Sequence, residues 1–300
     1  MPENLLQQIK EGNTRSLARG ISLVENEAQG YEDLLRQTIS TAIPVIGITG
    51  PPGAGKSTLT DALIKQLVQQ NKKIAVLCVD PSSPFKAGAI LGDRIRMSDW
   101  YNHPNVYIRS LASRGTLGGL HPKIIEITDL VKSAPFDFII IETVGVGQSE
   151  VEIAGLADVT VVVLVPESGD EIQVMKAGLM EIADIFVVNK ADRPDAAAFV
   201  HNLRAMLPHD GSETMHTIPI VKTIATQQAG IDVLLQNTVE QLKIPHQQKK
   251  FLLLAQKAWQ LIAAKKMQHI NKEQLIERLK KEAAQANFNL YRFADSFVSD

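Results

Sequence analysis

Residues 50–57 read Gly50-Pro51-Pro52-Gly53-Ala54-Gly55-Lys56-Ser57, the spacing G-x-x-x-x-G-K-S. Glycines let a backbone wrap a phosphate closely, and consecutive amides supply positive potential to it. Lys56 is placed to reach the outer phosphates of a nucleotide. Ser57, followed by Thr58, offers a hydroxyl to Mg²⁺. The chemistry these residues fit is binding and cleavage of a nucleoside triphosphate. Such a loop works only between a strand and a helix. Pro44-Val45-Ile46-Gly47-Ile48-Thr49 is short and apolar, as a buried strand is. From Ser57 to Gln70, Leu59, Leu63, Ile64 and Leu67 recur at helical spacing. The flanks therefore predict the required context, with phosphates on the helix N-terminus.

A second set of residues chooses the base. Asn189-Lys190-Ala191-Asp192 follows the apolar run Ile185-Phe186-Val187-Val188. It is expected at the carboxyl end of a strand, where open α/β sheets bind ligands. The Asp192 carboxylate can accept from guanine N1–H and from the 2-amino group. Adenine offers a lone pair at N1 and no 2-amino group, so it leaves a polar group unpaired. GTP and GDP are the expected nucleotides.

A third set concerns the metal and the outer phosphate. The run Phe138-Ile139-Ile140-Ile141 ends in Glu142-Thr143-Val144-Gly145. Glu142 at a strand tip is expected to hold Mg²⁺ through a water, and Gly145 to offer its N–H to the γ-phosphate. Asp80, in Val79-Asp80-Pro81-Ser82-Ser83, and Asp93, in Leu91-Gly92-Asp93-Arg94-Ile95-Arg96-Met97, are further candidate metal ligands. For each, the alternative is a helix cap or a solvated loop acid. Position 146, where many GTPases carry a water-positioning Gln, is Val. The expectation is slow intrinsic hydrolysis, completed by a partner or a second segment.

These residues need a scaffold. Apolar strand candidates at 44–49, 73–79, 105–110, 137–142, 158–165, 184–189 and 218–222 alternate with helical patterns. That alternation predicts an α/β fold with a mostly parallel sheet and helices on both faces, and the loop at 50–57 makes it a P-loop NTPase. Residues 1–42 read as a helical, peripheral N-terminal extension, 43–242 as the nucleotide-binding domain, and 243–300 as C-terminal helices beyond Pro245. The chain has 300 residues, 45% of them hydrophobic, with 31 basic against 33 acidic side chains. So near-neutral a balance gives no electrostatic footprint for nucleic acid. The one cysteine, Cys78, lies in an apolar run and fits a reducing compartment. No signal pattern opens the chain, and Val159 to Pro166 is too short to span a bilayer. The expectation is a cytoplasmic protein with no membrane partner.

Longer stretches resemble one family. They are Val79–Ser83, Leu91–Met97, Ser113-Arg114-Gly115-Thr116-Leu117-Gly118-Gly119, and Glu142-Thr143-Val144-Gly145-Val146-Gly147-Gln148-Ser149-Glu150. Gly169-Asp170-Glu171-Ile172-Gln173 with Lys176, then Met180–Asp184, also match. Together they resemble the MeaB/ArgK-type G proteins of the SIMIBI class. The resemblance implies a homodimeric GTPase chaperone that gates cofactor loading of a coenzyme-B12-dependent acyl-CoA mutase, methylmalonyl-CoA mutase or a relative. It implies Mg²⁺ ligation by some combination of Ser57, Asp80, Asp93 and Glu142, and an extra switch at Gly169–Lys176. It implies dimerisation through the C-terminal helices. The family's last guanine loop is Thr-Ser-Ala; here it is Thr223-Ile224-Ala225. The Ala225 N–H can still reach guanine O6, but a bracing hydroxyl is lost. Two alternatives stand beside this reading. A nickel-insertion GTPase wants Cys/His sites, against one Cys and 7 scattered His. An ATP-using kinase linked to basic amino-acid transport is opposed by Asn189–Asp192.

Overall fold

The structure is a computed structural model that describes residues 2–38, 41–80, 97–113, 120–144, 149–166, 178–207, 218–244, 247–267, 272–283 and 288–297. The chain divides into two compact units, Met1–Lys250 and Phe251–Asp300.

The first unit is built on seven strands: β1 Val45–Thr49, β2 Ile74–Asp80, β3 Val106–Ala112, β4 Phe138–Glu142, β5 Val159–Leu164, β6 Ile185–Val188 and β7 Ile220–Lys222. They form one sheet in the order β3-β2-β4-β1-β5-β6-β7, and every neighbouring pair is parallel. The strands are near-continuous runs of Val and Ile because both faces are covered. Alternate residues divide between the faces. Val161 and Val163 join Leu59, Leu63, Ile64 and Leu67 of the helix after β1 (Lys56–Gln69) and Leu234 of the helix Ile231–Gln241. Val162 and Leu164 join Ala154, Phe199 and Leu203 from helices on the other side. All seven strand expectations are met within two residues at each end. β3 runs on to Ala112 although Ser110-Leu111-Ala112 has weak strand propensity, because its pairing with β2 continues to Asp80↔Ala112.

The N-terminal residues form three helices, Pro2–Lys10, Thr14–Glu25 and Tyr31–Arg36. They are less peripheral than their sequence suggests. Ile9, Leu17, Ile21, Val24 and Leu34 are at most 1% exposed. Gly20 lets Thr14–Glu25 approach the helix Ile124–Val131, since a Cβ there would sit 3.0 Å from Leu130 Cδ2. Glu25 also accepts from Arg109 of β3 at 2.9 Å.

The second unit carries most of the helix Gln247–Lys266, then the helices Lys272–Ala283 and Leu290–Asp295. Its aromatic cluster joins Phe288, Phe293 and Phe297, with Arg278 over the last ring at 4.7 Å. Trp259 is 75% exposed, and Phe251, Leu252 and Ile262 are exposed as well. Among the described residues no helix is long and apolar enough to cross a membrane.

A nucleotide-type cleft at the carboxyl edge of the sheet

β1 delivers the chain to the glycine loop, and Lys56 opens the helix that follows. Gly55 is the N-cap at φ 90, and no side chain caps the helix there. An L residue would be strained at that φ, and its Cβ would collide with the Asn189 amide nitrogen. An uncapped helix N-terminus beside a glycine loop favours an anion. Lys56 is buried, with Nζ donating to the carbonyls of Gly50 at 2.8 Å and Pro51 at 3.1 Å. The lysine is thus held over its own loop. A cleft of about 400 Å³ opens there. Pro52, Gly53, Gly55, Lys56, Ser57 and Thr58 line it, together with Val79, Glu142, Thr143 and Val144 from the β2 and β4 flank and Lys190 from the β6 flank.

The central strands bring the metal candidates to the same edge. Glu142 pairs in register with Ile48 of β1 and Cys78 of β2. It is 3% exposed. Its Oε1 accepts from Ser57 Oγ at 2.6 Å and its Oε2 from Thr60 Oγ1 at 3.0 Å. Asp80 ends β2, two residues beyond Cys78, and is 2% exposed. The donors are a hydroxyl and carboxylates, hard oxygen ligands that suit Mg²⁺. Among the described residues no three His, Cys, Asp or Glu side chains converge. Mg²⁺ takes one or two carboxylates and completes its shell with phosphates and water. Asp93, Gly145 and the stretches 114–119 and 169–176 lie outside the described residues.

The base-reading candidates stand at the tip of β6. Asn189 is buried, and its side chain connects two loops. Nδ2 donates to the Ala54 carbonyl of the glycine loop at 3.0 Å. Oδ1 accepts from Thr223 Oγ1 at 3.1 Å and from Ala225 N at 3.2 Å. Lys190 turns the chain at φ 55, and Asp192 is exposed just beyond it. Ala191 N donates to the Thr223 carbonyl at 3.0 Å. The segment after β7 is therefore braced without a serine at 224. Asn189 holds its two ends, and Ile224 makes an antiparallel bridge with Ala229.

Three hydroxyls escaped sequence reasoning. Thr60 was legible in principle, since Ser57-x-x-Thr60 puts both side chains on one helix face. Thr49 and Thr143 share a 2.9 Å hydroxyl contact at the tips of β1 and β4. Nothing in the order of residues announces that pair.

Known proteins resemble this chain. A Pyrococcus abyssi protein carrying a GTPase name is 46% identical over 236 residues, covering 77% of this chain and 73% of that one. A fused isobutyryl-CoA mutase of Geobacillus kaustophilus is 37% identical over 237 residues, 74% of this chain but 22% of its own length. A solved structure described as a LAO/AO transport system kinase superposes with a TM-score of 0.69 at 23% identity, over 100% of this chain and 98% of that one, and so supports the fold. The family model described as methylmalonyl Co-A mutase-associated GTPase MeaB matches residues 17–284. With the cleft and these relatives in view, the chain belongs to the MeaB family of P-loop GTPases and hydrolyses GTP.

Proposed function

We propose that this GTPase serves as a nucleotide-dependent chaperone and gatekeeper for a coenzyme-B12-dependent acyl-CoA mutase, controlling its cofactor loading, protection or reactivation. The single observation that carries the mutase reading is the fused isobutyryl-CoA mutase, which holds within one chain a stretch 37% identical to this protein. Two activities joined in one polypeptide are two activities that profit from being held together.

In this reading the glycine loop, Gly50 to Thr58, cradles the phosphates, with Lys56 on the outer ones. Ser57, Glu142 and Asp80 hold Mg²⁺, with Asp93 as a fourth candidate. The metal, when bound, neutralises charge that develops on the transferring phosphoryl group. Gly145 contacts the γ-phosphate. Asn189, Lys190 and Asp192 read guanine together with Thr223 and Ala225. Val146 leaves no water-orienting amide at that position, so intrinsic turnover is slow. Single-turnover hydrolysis at tens per second without any partner contradicts this point.

Residues 1–42 act as an extension, 43–242 as the GTPase domain, and 243–300 as a dimerisation arm. The exposed Trp259, Leu252 and Ile262 support the last assignment. Deleting residues 247–300 is expected to give a monomer in sedimentation; a dimer that survives places the interface elsewhere.

The experiment for the mutase role is capture of a purified B12-dependent acyl-CoA mutase by the immobilised protein. The expected result is retention that differs between GDP and a non-hydrolysable GTP analogue. Equal failure to retain the mutase in both states overturns the reading. Calorimetry with GTP and ATP tests the transport-kinase alternative, for which ATP is the preferred ligand.

A further inference from the structure

Glu142 is gripped at both carboxylate oxygens from one helix. Oε1 accepts from Ser57 Oγ at 2.6 Å and Oε2 from Thr60 Oγ1 at 3.0 Å. Ser57 and Thr60 lie three residues apart on the helix Lys56–Gln69, so their hydroxyls project from one face. Thr60 is 0% exposed, so water does not compete for the contact from outside.

We infer that Thr60 is a positioning residue for the metal site: its hydroxyl fixes Oε2 of Glu142 so that Oε1 stays directed at Ser57, where the two residues would hold Mg²⁺. The inference rests on the reading of Ser57 and Glu142 as metal-holding groups. Glutamate reaches a metal on a longer arm than aspartate, and its terminal torsion is broad. Holding that arm in one geometry has an entropic cost. A second hydroxyl, one helical turn beyond the first, sets the carboxylate plane before the metal arrives. Outer partners of this kind change metal affinity about 10–100-fold when removed.

Thr60 Oγ1 also lies 3.0 Å from the Lys56 carbonyl, four residues back. Its single proton can serve only one acceptor well. A threonine that merely satisfies itself on its own helix is the competing account. An ionised carboxylate is a stronger acceptor than a backbone carbonyl.

The test is the Mg²⁺ concentration that half-saturates Mg²⁺-dependent GDP binding to the full chain, by calorimetry, with GDP affinity in EDTA as the companion reading. Thr60→Val keeps the shape and removes the hydroxyl. The Mg²⁺ requirement is expected to rise about 10–100-fold, with GDP affinity in EDTA unchanged. Thr60→Ser is expected to return to the wild-type requirement. In a Glu142→Gln background, Thr60→Val is expected to add nothing further. If Thr60→Val does not accumulate as folded protein, Thr60→Cys, of similar size and a weaker donor, takes its place with the same expected direction. A Thr60→Val requirement equal to wild type, while Glu142→Gln raises it, overturns the inference alone. So does a loss of GDP affinity in EDTA as large as the loss with Mg²⁺. If Glu142→Gln leaves the Mg²⁺ requirement unchanged, the metal reading falls and the inference falls with it.

Discussion

At the amino edge of the sheet, Asp137, Asp158 and Asp184 each stand directly before a strand, β4, β5 and β6. At the carboxyl edge, Asp80 and Glu142 end β2 and β4. The amino-edge acids all make the same bonds. Asp158 Oδ2 accepts from Val45 N at 2.8 Å while its own N–H donates to the Val45 carbonyl. Asp184 does the same to Thr160, and Asp137 to Lys73. Each closes the start of a neighbouring strand, half-buried at the rim. The carboxyl-edge acids are at most 3% exposed, and Glu142 accepts from side-chain hydroxyls of another element. The same functional group is a backbone clasp at one edge and part of a preset oxygen cluster at the other. Burial, and whether the donor is backbone or side chain, separate the clasping carboxylates of one edge from the carboxylates proposed to hold a ligand at the other.

Substitutions at the two edges are expected to part along the same line. The largest effect belongs to the cleft. Lys56→Ala is expected to weaken GTP about 100-fold or more, the loss of a charge-assisted bond to phosphate. Titration calorimetry reads it directly, and unchanged affinity removes Lys56 from the assigned role. Glu142→Gln is expected to slow single-turnover hydrolysis about 100–1000-fold, with thermal stability close to wild type. A variant that melts early but still hydrolyses GTP makes Glu142 a clasp like the others, and the contrast fails.

At the opposite edge, Asp158→Ala is expected to cost about 1–3 kcal/mol, lowering Tm by roughly 3–9 °C in calorimetry, with GTP affinity unchanged. The smallest effect is that of Asp137. The Lys73 backbone amide, aided by Lys72, holds its carboxyl below the ordinary range, against the opposing effect of burial. A lowered folded-state pKa contributes stability above the unfolded value, and this is lost as pH falls through the folded value. Asp137→Asn is therefore expected to be less stable than wild type at neutral pH and to converge with it in acid. The side chain is 38% exposed, so solvent screening keeps the difference well under about 1 kcal/mol. Urea melts at pH 7 and in acid check the sign; a gap that widens in acid contradicts it.

What could be read from the order of residues was what is local in it. Gly50–Ser57 and Asn189–Asp192 are contiguous, and each carries its own chemistry and flanking strand. The seven strands were legible because covered parallel strands are unbroken apolar runs. The links between motifs were not. Asn189 bonds Ala54, 135 residues away, and Ser57 bonds Glu142, 85 away. Such contacts follow from strand order, which places β4 and β5 on either side of β1. Ile224 illustrates the limit. The sequence shows a missing hydroxyl, whereas the bracing by Asn189 and Ala229 emerges only after folding. The N-terminal helices are a similar case, since their apolar stripes are visible but the partner helix at 124–131 is not.

We propose that the carboxyl edge, and in particular the tip of β6, reads a guanine nucleotide. Calorimetry of GTP and XTP on wild-type protein and Asp192→Asn tests it most directly. Xanthine replaces the 2-amino donor with a carbonyl, so the side-chain amide of the Asp192→Asn variant can pair where the Asp192 carboxylate cannot. Wild-type protein is predicted to prefer GTP, and Asp192→Asn to shift preference towards XTP by roughly 100-fold or more. A variant that keeps the wild-type preference for GTP contradicts the assignment of this edge as the guanine site.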